Sequence, residues 1–165
     1  MALYLDMDGV LSDFDEAVRI HMGVYPHEIP DELMTKEILS IPDFWLDMPP
    51  MPDMKDIWDY AKQFNPYILT ARASWDNDRC VRSKPLWLMK HIPDLDLSRV
   101  RIVRRSEKAN YAKTGTENRA VLVDDHAKNI LEWSHAGGHG ILHQSAKDSI
   151  FHLSKKTVQK LISQP

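Results

Sequence analysis

A single cysteine, Cys80, has no partner for an internal disulfide. Noncovalent packing must therefore hold the fold, and a reducing compartment is expected. A large excess of charge of either sign is lacking too. The formal net charge of −3 supplies no general attraction for nucleic acid, while leaving room for a local basic groove. No apolar run reaches the length of a bilayer span. The first residues show no basic segment followed by a hydrophobic stretch, and Asp6 and Asp8 interrupt the one candidate. A soluble cytoplasmic protein without membrane contact is expected. Internal repeats and low-complexity tracts are absent as well.

What the chain has is enough length for one well-buried domain with a small insertion, 165 residues in all. Its most informative stretch is Leu3-Tyr-Leu-Asp-Met-Asp-Gly-Val-Leu11. The opening apolar run is too short for a helix and suits a buried parallel strand. Asp6 and Asp8 follow two residues apart, so an extended chain presents both carboxylates on one side. Like charges that close favour a shared proton or a bound divalent cation. A solvated Asp-rich turn after a strand is the plainer alternative.

Beyond Leu11, Phe14, Ala17, Val18 and His21 recur at helical spacing. Ser12 or Asp13 is placed to cap the first turn, and Gly23 to stop the helix. Between Tyr25 and Pro52, Pro26, Pro30, Pro42, Pro49 and Pro50 break the chain into short pieces. There is room there for one short helix near Asp31 to Leu39. This segment carries Phe44 and Trp45 and reads as an insertion packed over one edge of the domain. Met54, Ile57, Trp58, Ala61 and Phe64 restore a helical stripe. Tyr67 to Thr70 is a strand ending in a hydroxyl, and Asp76 to His91 a helix whose second half opens at Pro85. Val100 to Val103 alternates as an edge strand would, and Ala120 to Val123 is an apolar strand closed by Asp124 and Asp125. A helix over Ala127 to His135 ends at Gly137 and Gly138, before a last strand from Gly140 to His143 and a terminal helix from Thr157 to Ile162. Strands alternating with helices predict an α/β fold with parallel pairing and right-handed crossovers.

In open α/β sheets, ligands bind beyond the carboxyl ends of the strands. Here those ends offer Asp6 and Asp8, Thr70, Lys108 a few residues past the third strand, and Asp124 with Asp125. Carboxylates with water and a substrate phosphate suit Mg²⁺, while Thr and Lys suit phosphate oxygens. The set points to phosphoryl chemistry.

At these residues the chain resembles the haloacid dehalogenase superfamily. Asp6-Met-Asp-Gly-Val, Ile68-Leu-Thr-Ala-Arg72, Lys108 and Leu122-Val-Asp-Asp125 match its four motifs in order, over the chain from Leu3 to about His143. Val10 stands where the usual first motif carries Thr, a variation shared with nucleotidase members. The Asp-Gly-Val-Leu opening, Phe44-Trp45 before a Pro-rich segment, Trp87, Lys90, and Trp133 followed by Gly137-Gly138 resemble the 5′(3′)-deoxyribonucleotidase-like branch. The resemblance implies a three-layer Rossmann-like core with a central parallel sheet, residues 1–12 and 53–165. Residues 13–52 would form a small, mainly helical cap inserted after the first strand. Asp6 would be the nucleophile that forms an aspartyl-phosphate, and Asp8 the group that exchanges protons with the leaving oxygen and with water. Mg²⁺ would be held by Asp6, the Asp8 carbonyl, Asp124 and Asp125, with Thr70 and Lys108 on the phosphoryl oxygens. The implied function is Mg²⁺-dependent hydrolysis of (deoxy)nucleoside monophosphates.

Phe14, Phe44 and Trp45 are candidates to stack on a nucleobase, and Arg72 to reach the phosphate or leaving group or to form a surface ion pair. A nucleic-acid 3′-phosphatase with the same motifs is the alternative, suggested by basic Arg101, Arg104 and Arg105. A non-catalytic phosphate-binding module is the third reading. An exposed cap or edge strand is compatible with a homodimer. Among the remaining polar residues, Lys84 and Lys90 read as solvated, with lining of the substrate mouth as the alternative, and Ser12, Asp13 and Asp15 as helix-start residues. His135, His139 and His143 lack ligand spacing and read as structural or exposed. Cys80 reads as a small core residue, and the Pro49 to Pro52 run as a rigid connector back to the core.

Overall fold

The computed structural model describes residues 2–114 and 118–162; Met1, 115–117 and 163–165, which the expected core includes, lie outside the described residues. Five strands, β1 (Leu3–Leu5), β2 (Tyr67–Ala71), β3 (Val100–Val103), β6 (Val121–Asp124) and β7 (His139–Leu142), form one sheet. Its order is β3-β2-β1-β6-β7, with every pairing parallel. The helices between them are α1 (Phe14–Met22), α2 (Asp31–Ser40), α3 (Phe44–Asp47), α4 (Met54–Ala61), α5 (Asn77–His91), α6 (Ala127–His135), α7 (Ala146–Leu153) and α8 (Lys156–Ile162). A two-stranded antiparallel hairpin, β4 (Lys113–Thr114) with β5 (Asn118–Arg119), stands apart.

Alternation along the strands divides the core into two faces. Leu3, Leu5, Ile68, Val121 and Val123 belong to one apolar cluster with residues of α1, α4, α5, α7 and α8. Tyr4, Leu69 and Leu122 face the other way, toward Trp133 of α6 and Ala112. Tyr4 stacks on Tyr67 at 5.1 Å and meets Trp133 edge-on at 5.5 Å. The result is the three-layer α/β arrangement expected from the sequence.

Residues 13–52 are mainly helical, and Ile38, Phe44, Trp45 and Met48 join the same buried cluster as β1. The segment enters and leaves at one place. The Asp13 N–H donates to the Pro49 carbonyl at 2.8 Å, and the Met51 N–H to the Leu11 carbonyl at 2.8 Å. The proline run thus forms one side of a short antiparallel stem. Helix α5 fastens the segment from the far side: Arg79 donates to the Ile41 and Ile38 carbonyls, and the Trp87 indole to the Met48 carbonyl. The helix runs through Pro85 without a break, so the second half does not start anew there as expected.

Candidate active site

The chain runs outward along β1, β2 and β3 on one side, then returns to place β6 on the other side of β1. The switch point of the sheet therefore lies between β1 and β6, where a crevice opens beyond the carboxyl ends. Asp6 and Asp124 project from these two neighbouring ends.

Past Leu5 the backbone coils tightly. The Met7 carbonyl accepts the N–H groups of Val10, Leu11 and Ser12, at 3.3, 2.7 and 2.9 Å. Gly9 makes this possible with φ +79°, a left-handed conformation that only glycine adopts at no steric expense. A Cβ there would also collide with the Asp125 carboxylate.

Asp6 is nearly buried, and its Oδ1 accepts the Met7 N–H at 2.8 Å. The Lys108 ammonium stands 2.7 Å from Asp6 Oδ2 and 2.8 Å from Asp124 Oδ2. Asp124 is fully buried and further held by the Asn129 amide, at 3.0 and 2.9 Å, and by the His126 N–H at 2.8 Å. Burial pushes the Asp6 carboxyl upward, opposed by Lys108 and reinforced by Asp124 and Asp8. Desolvation and the adjoining Asp124 push Asp125 up to about 6.

The second acid of the first motif has its own lysine. Lys84 is fully buried, and its ammonium donates to Asp8 Oδ2 at 2.6 Å, Thr70 Oγ1 at 2.7 Å and the Ala71 carbonyl at 2.7 Å. This corrects the reading of Lys84 as a solvated residue. Cys80, Trp87 and Leu88, at i−4, i+3 and i+4 on α5, are all buried, so Lys84 occupies the inward stripe of its helix. That placement was the available signal. Ser12, expected only at a helix start, also donates its hydroxyl to Asp8 Oδ1 at 3.0 Å. The capping role falls to Asp13, whose carboxylate accepts the Glu16 N–H. Asn129 was missed entirely; its position in the first turn of α6, behind Asp124, is a weak sequence cue.

Formally the site holds four carboxylates, Asp6, Asp8, Asp124 and Asp125, and two ammonium groups, Lys84 and Lys108. The excess is two negative charges when all are ionised. Oxygens of Asp6, Asp124 and Asp125 lie within 4.8 Å of one another. A slight contraction would bring this all-oxygen set to the spacing a hard divalent cation requires. The donors and the charge deficit both fit such an ion. Among the described residues no comparable group contains a histidine.

A cavity of about 520 Å³ opens over these acids, lined by Asp6, Asp8, Lys108 and Asp125 below and by Phe14, Trp45 and Trp75 at the side. Phe14 and Trp45 are roughly parallel, 6.0 Å apart, and Trp75 tilts against Trp45 at 5.7 Å. The Trp45 indole donates to Asp76 at 2.7 Å, which fixes its ring. Phe44, expected on this wall, is fully buried behind it with its edge against Phe14 and Trp45. Trp75, 37% exposed, was not expected there. Arg72 lines the cavity, whereas Thr70 lies beneath it, fully buried. Arg101 turns away, donating to backbone carbonyls at Ser98 and Val100.

Comparison with solved structures bears on the fold. An L-2-haloacid dehalogenase superposes with a TM-score of 0.57 at 11% identity, over 93% of this chain and 99% of its own. The fold is haloacid dehalogenase-like. A hydrolase from Pseudomonas syringae (TM-score 0.53, 12% identity) and one from Streptococcus pneumoniae TIGR4 (0.51, 11%) are similar over 93% of this chain and 97% and 98% of theirs. No family model matches the chain, and no curated protein matches it in sequence. No helix of the described residues is long and apolar enough to cross a membrane.

Proposed function

We propose that the chain is a Mg²⁺-dependent phosphomonoesterase acting on (deoxy)nucleoside monophosphates, and that residues 13–52 serve as its cap. The observation that carries this reading is the separation of two acids by two lysines. Asp6 shares Lys108 with Asp124, while Asp8 is held apart by Lys84 and Ser12. This separation supports a division of labour in which Asp6 attacks and Asp8 transfers protons.

An Asp6 oxygen attacks phosphorus, forming the aspartyl-phosphate as the ester oxygen departs and takes a proton from Asp8. Water then attacks the phosphorus, Asp8 receives its proton, and the Asp6–phosphate bond breaks. Lys108 and the Thr70 hydroxyl hold phosphoryl oxygens; Thr70 accepts from Lys84, which leaves its own proton to donate. Asp6, the Asp8 carbonyl, Asp124 and Asp125 would hold Mg²⁺, which when bound offsets charge between carboxylate and phosphate. Phe14 and Trp75 supply apolar surface beside the site, backed by the nearly buried Trp45, in keeping with a base as part of the leaving group. The Phe44-Trp45 and Trp87 resemblance to the deoxyribonucleotidase-like branch points the same way.

Phosphate release from nucleoside monophosphates and from an aryl phosphate, with Mg²⁺ or with chelator, tests the reading. Mg²⁺-dependent release that vanishes in Asp6→Asn is expected. Wild-type protein that releases phosphate from no ester would overturn it and favour the binding module. For the aromatic wall, Trp75→Ala is expected to raise KM for nucleoside monophosphates roughly tenfold, the worth of one stacked base. Its KM for the aryl phosphate should move less; equal changes in both would remove base stacking from the proposal.

A further inference from the structure

Beside the first cavity lies a second, of about 570 Å³, lined by Arg72, Ser74, Asn77, Arg104, Arg105 and Ser106. Arg72 and Arg105 line both cavities, so the two adjoin. The second sits beyond the carboxyl ends of β2 and β3, since Arg72 follows the one strand and Arg104 the other. In a chain of formal net charge −3, three guanidinium groups gather here, and only that of Arg105 meets an acid. Asp76 is taken by Trp45 and Arg79, and Asp78 accepts from Asn77. The Glu107 carboxylate accepts the Arg104 backbone N–H rather than its side chain. Glu132 pairs with Arg105, at 2.8 Å. Among the described residues, Arg72 and Arg104 hold no side-chain hydrogen bond or ion pair. Guanidinium forks with serine hydroxyls and an amide are the donor set that recognises a phosphate.

We propose that this cavity binds a second phosphate group carried by the same substrate. The inference rests on the phosphomonoesterase reading and narrows its substrate class. β1 and β3 are two strand spacings apart, roughly 10 Å, the scale of one nucleoside with a phosphate at each end. The preferred substrate is then bisphosphorylated, with one phosphate cleaved over Asp6 and the other held by Arg72, Arg104 and Arg105. The second phosphate can belong to a nucleoside 3′,5′-bisphosphate or be the internal diester of a 3′-phosphorylated dinucleotide.

Arg104 lines only the second cavity, which makes Arg104→Gln the informative variant. Titration calorimetry on Asp6→Asn protein, with and without Arg104→Gln, would compare a nucleoside 3′,5′-bisphosphate with the 5′-monophosphate. The bisphosphate should bind about tenfold tighter, as one charge-assisted contact predicts, and Arg104→Gln should abolish that advantage. Equal affinity for the two ligands in Asp6→Asn protein overturns the proposal, as does an Arg104→Gln change that weakens both equally or neither. In the wild-type background, kcat/KM for an aryl phosphate should be unchanged by Arg104→Gln. A uniform fall would make Arg104 merely structural and overturn the subsite. Comparing kcat/KM for the bisphosphate and the dinucleotide identifies which source of the second phosphate the enzyme prefers. Absence of turnover on every ester would sink the phosphatase reading alone, because the titration still decides the arginine site.

Discussion

At the scale of single residues, the two lysines set the site's character. Lys84 reaches Asp8, Thr70 and Ala71 from an entirely buried position, so removing its charge strands a carboxylate. Lys84→Met is expected to lower stability by about 3 kcal/mol, the usual consequence of breaking a buried pair, and to reduce kcat severely. Adding Asp8→Asn should recover much of the stability, and none of the activity, in denaturant titrations and turnover assays. A double variant as unstable as Lys84→Met would mean that the lysine acts through packing. Gly9 offers a second test. Gly9→Ala combines a left-handed φ with a clash against Asp125. It should raise the Mg²⁺ concentration needed for half-maximal activity while leaving the fold intact by circular dichroism. The convergence of Asp6, Asp8, Thr70, Lys108, Asp124 and Asp125 on one crevice was legible because acids, a hydroxyl and an ammonium near strand ends stand out in sequence order. Lys84 was not, because a lysine on an apolar helix face looks the same whether it escapes to solvent or ends on a carboxylate across the core.

At the scale of elements, alternating strands and amphipathic helices were readable because burial imposes their periods. α7 and the β4–β5 hairpin were not. The buried face of α7 includes Ser149, while Phe151 points outward, 62% exposed, so its apolar stripe is broken; two-residue strands carry no period at all. Ser149 has a partner in His143, whose Nδ1 lies 2.8 Å from its hydroxyl just past β7, while Nε2 is buried without a partner among the described residues. Burial holds the imidazole below its ordinary pKa, only partly countered by Asp53 and Asp148. The folded protein therefore keeps His143 neutral where the unfolded chain protonates it. Stability should fall as pH drops below about 6.5, down to the lowered folded value. His143→Gln should flatten that part of the profile, as read from the wild-type-minus-variant difference in unfolding free energy. An unchanged slope would assign the acid sensitivity to other groups.

At the scale of the whole molecule, the strand order creates the crevice, and four carboxylates converge on it from both sides of the switch point against two ammonium groups. A divalent ion that balances two negative charges should stabilise the folded state as a whole. At tenfold excess over its dissociation constant, Mg²⁺ is expected to add about 1.4 kcal/mol and raise the melting temperature by several degrees. Asp125→Asn should shrink this shift, measured by calorimetry. A melting temperature indifferent to Mg²⁺ in wild-type protein would remove the ion from the site. The α/β class and the position of the crevice followed from the order of strands and acids. The arginine cavity did not, since Arg101 turns away from its sequence neighbours Arg104 and Arg105, and Arg72 joins from another strand.

The stem at residues 11–13 and 49–51 brings the two ends of the inserted segment together. A segment whose ends meet can be exchanged as a cassette, because a different insert spliced across that stem leaves every strand of the sheet in register. The condition is that the newcomer supply apolar side chains where Ile38, Phe44 and Met48 now fill the core. The chemistry proposed for the strand ends and the leaving-group choice proposed for the inserted segment can thus diverge independently, by descent or by design.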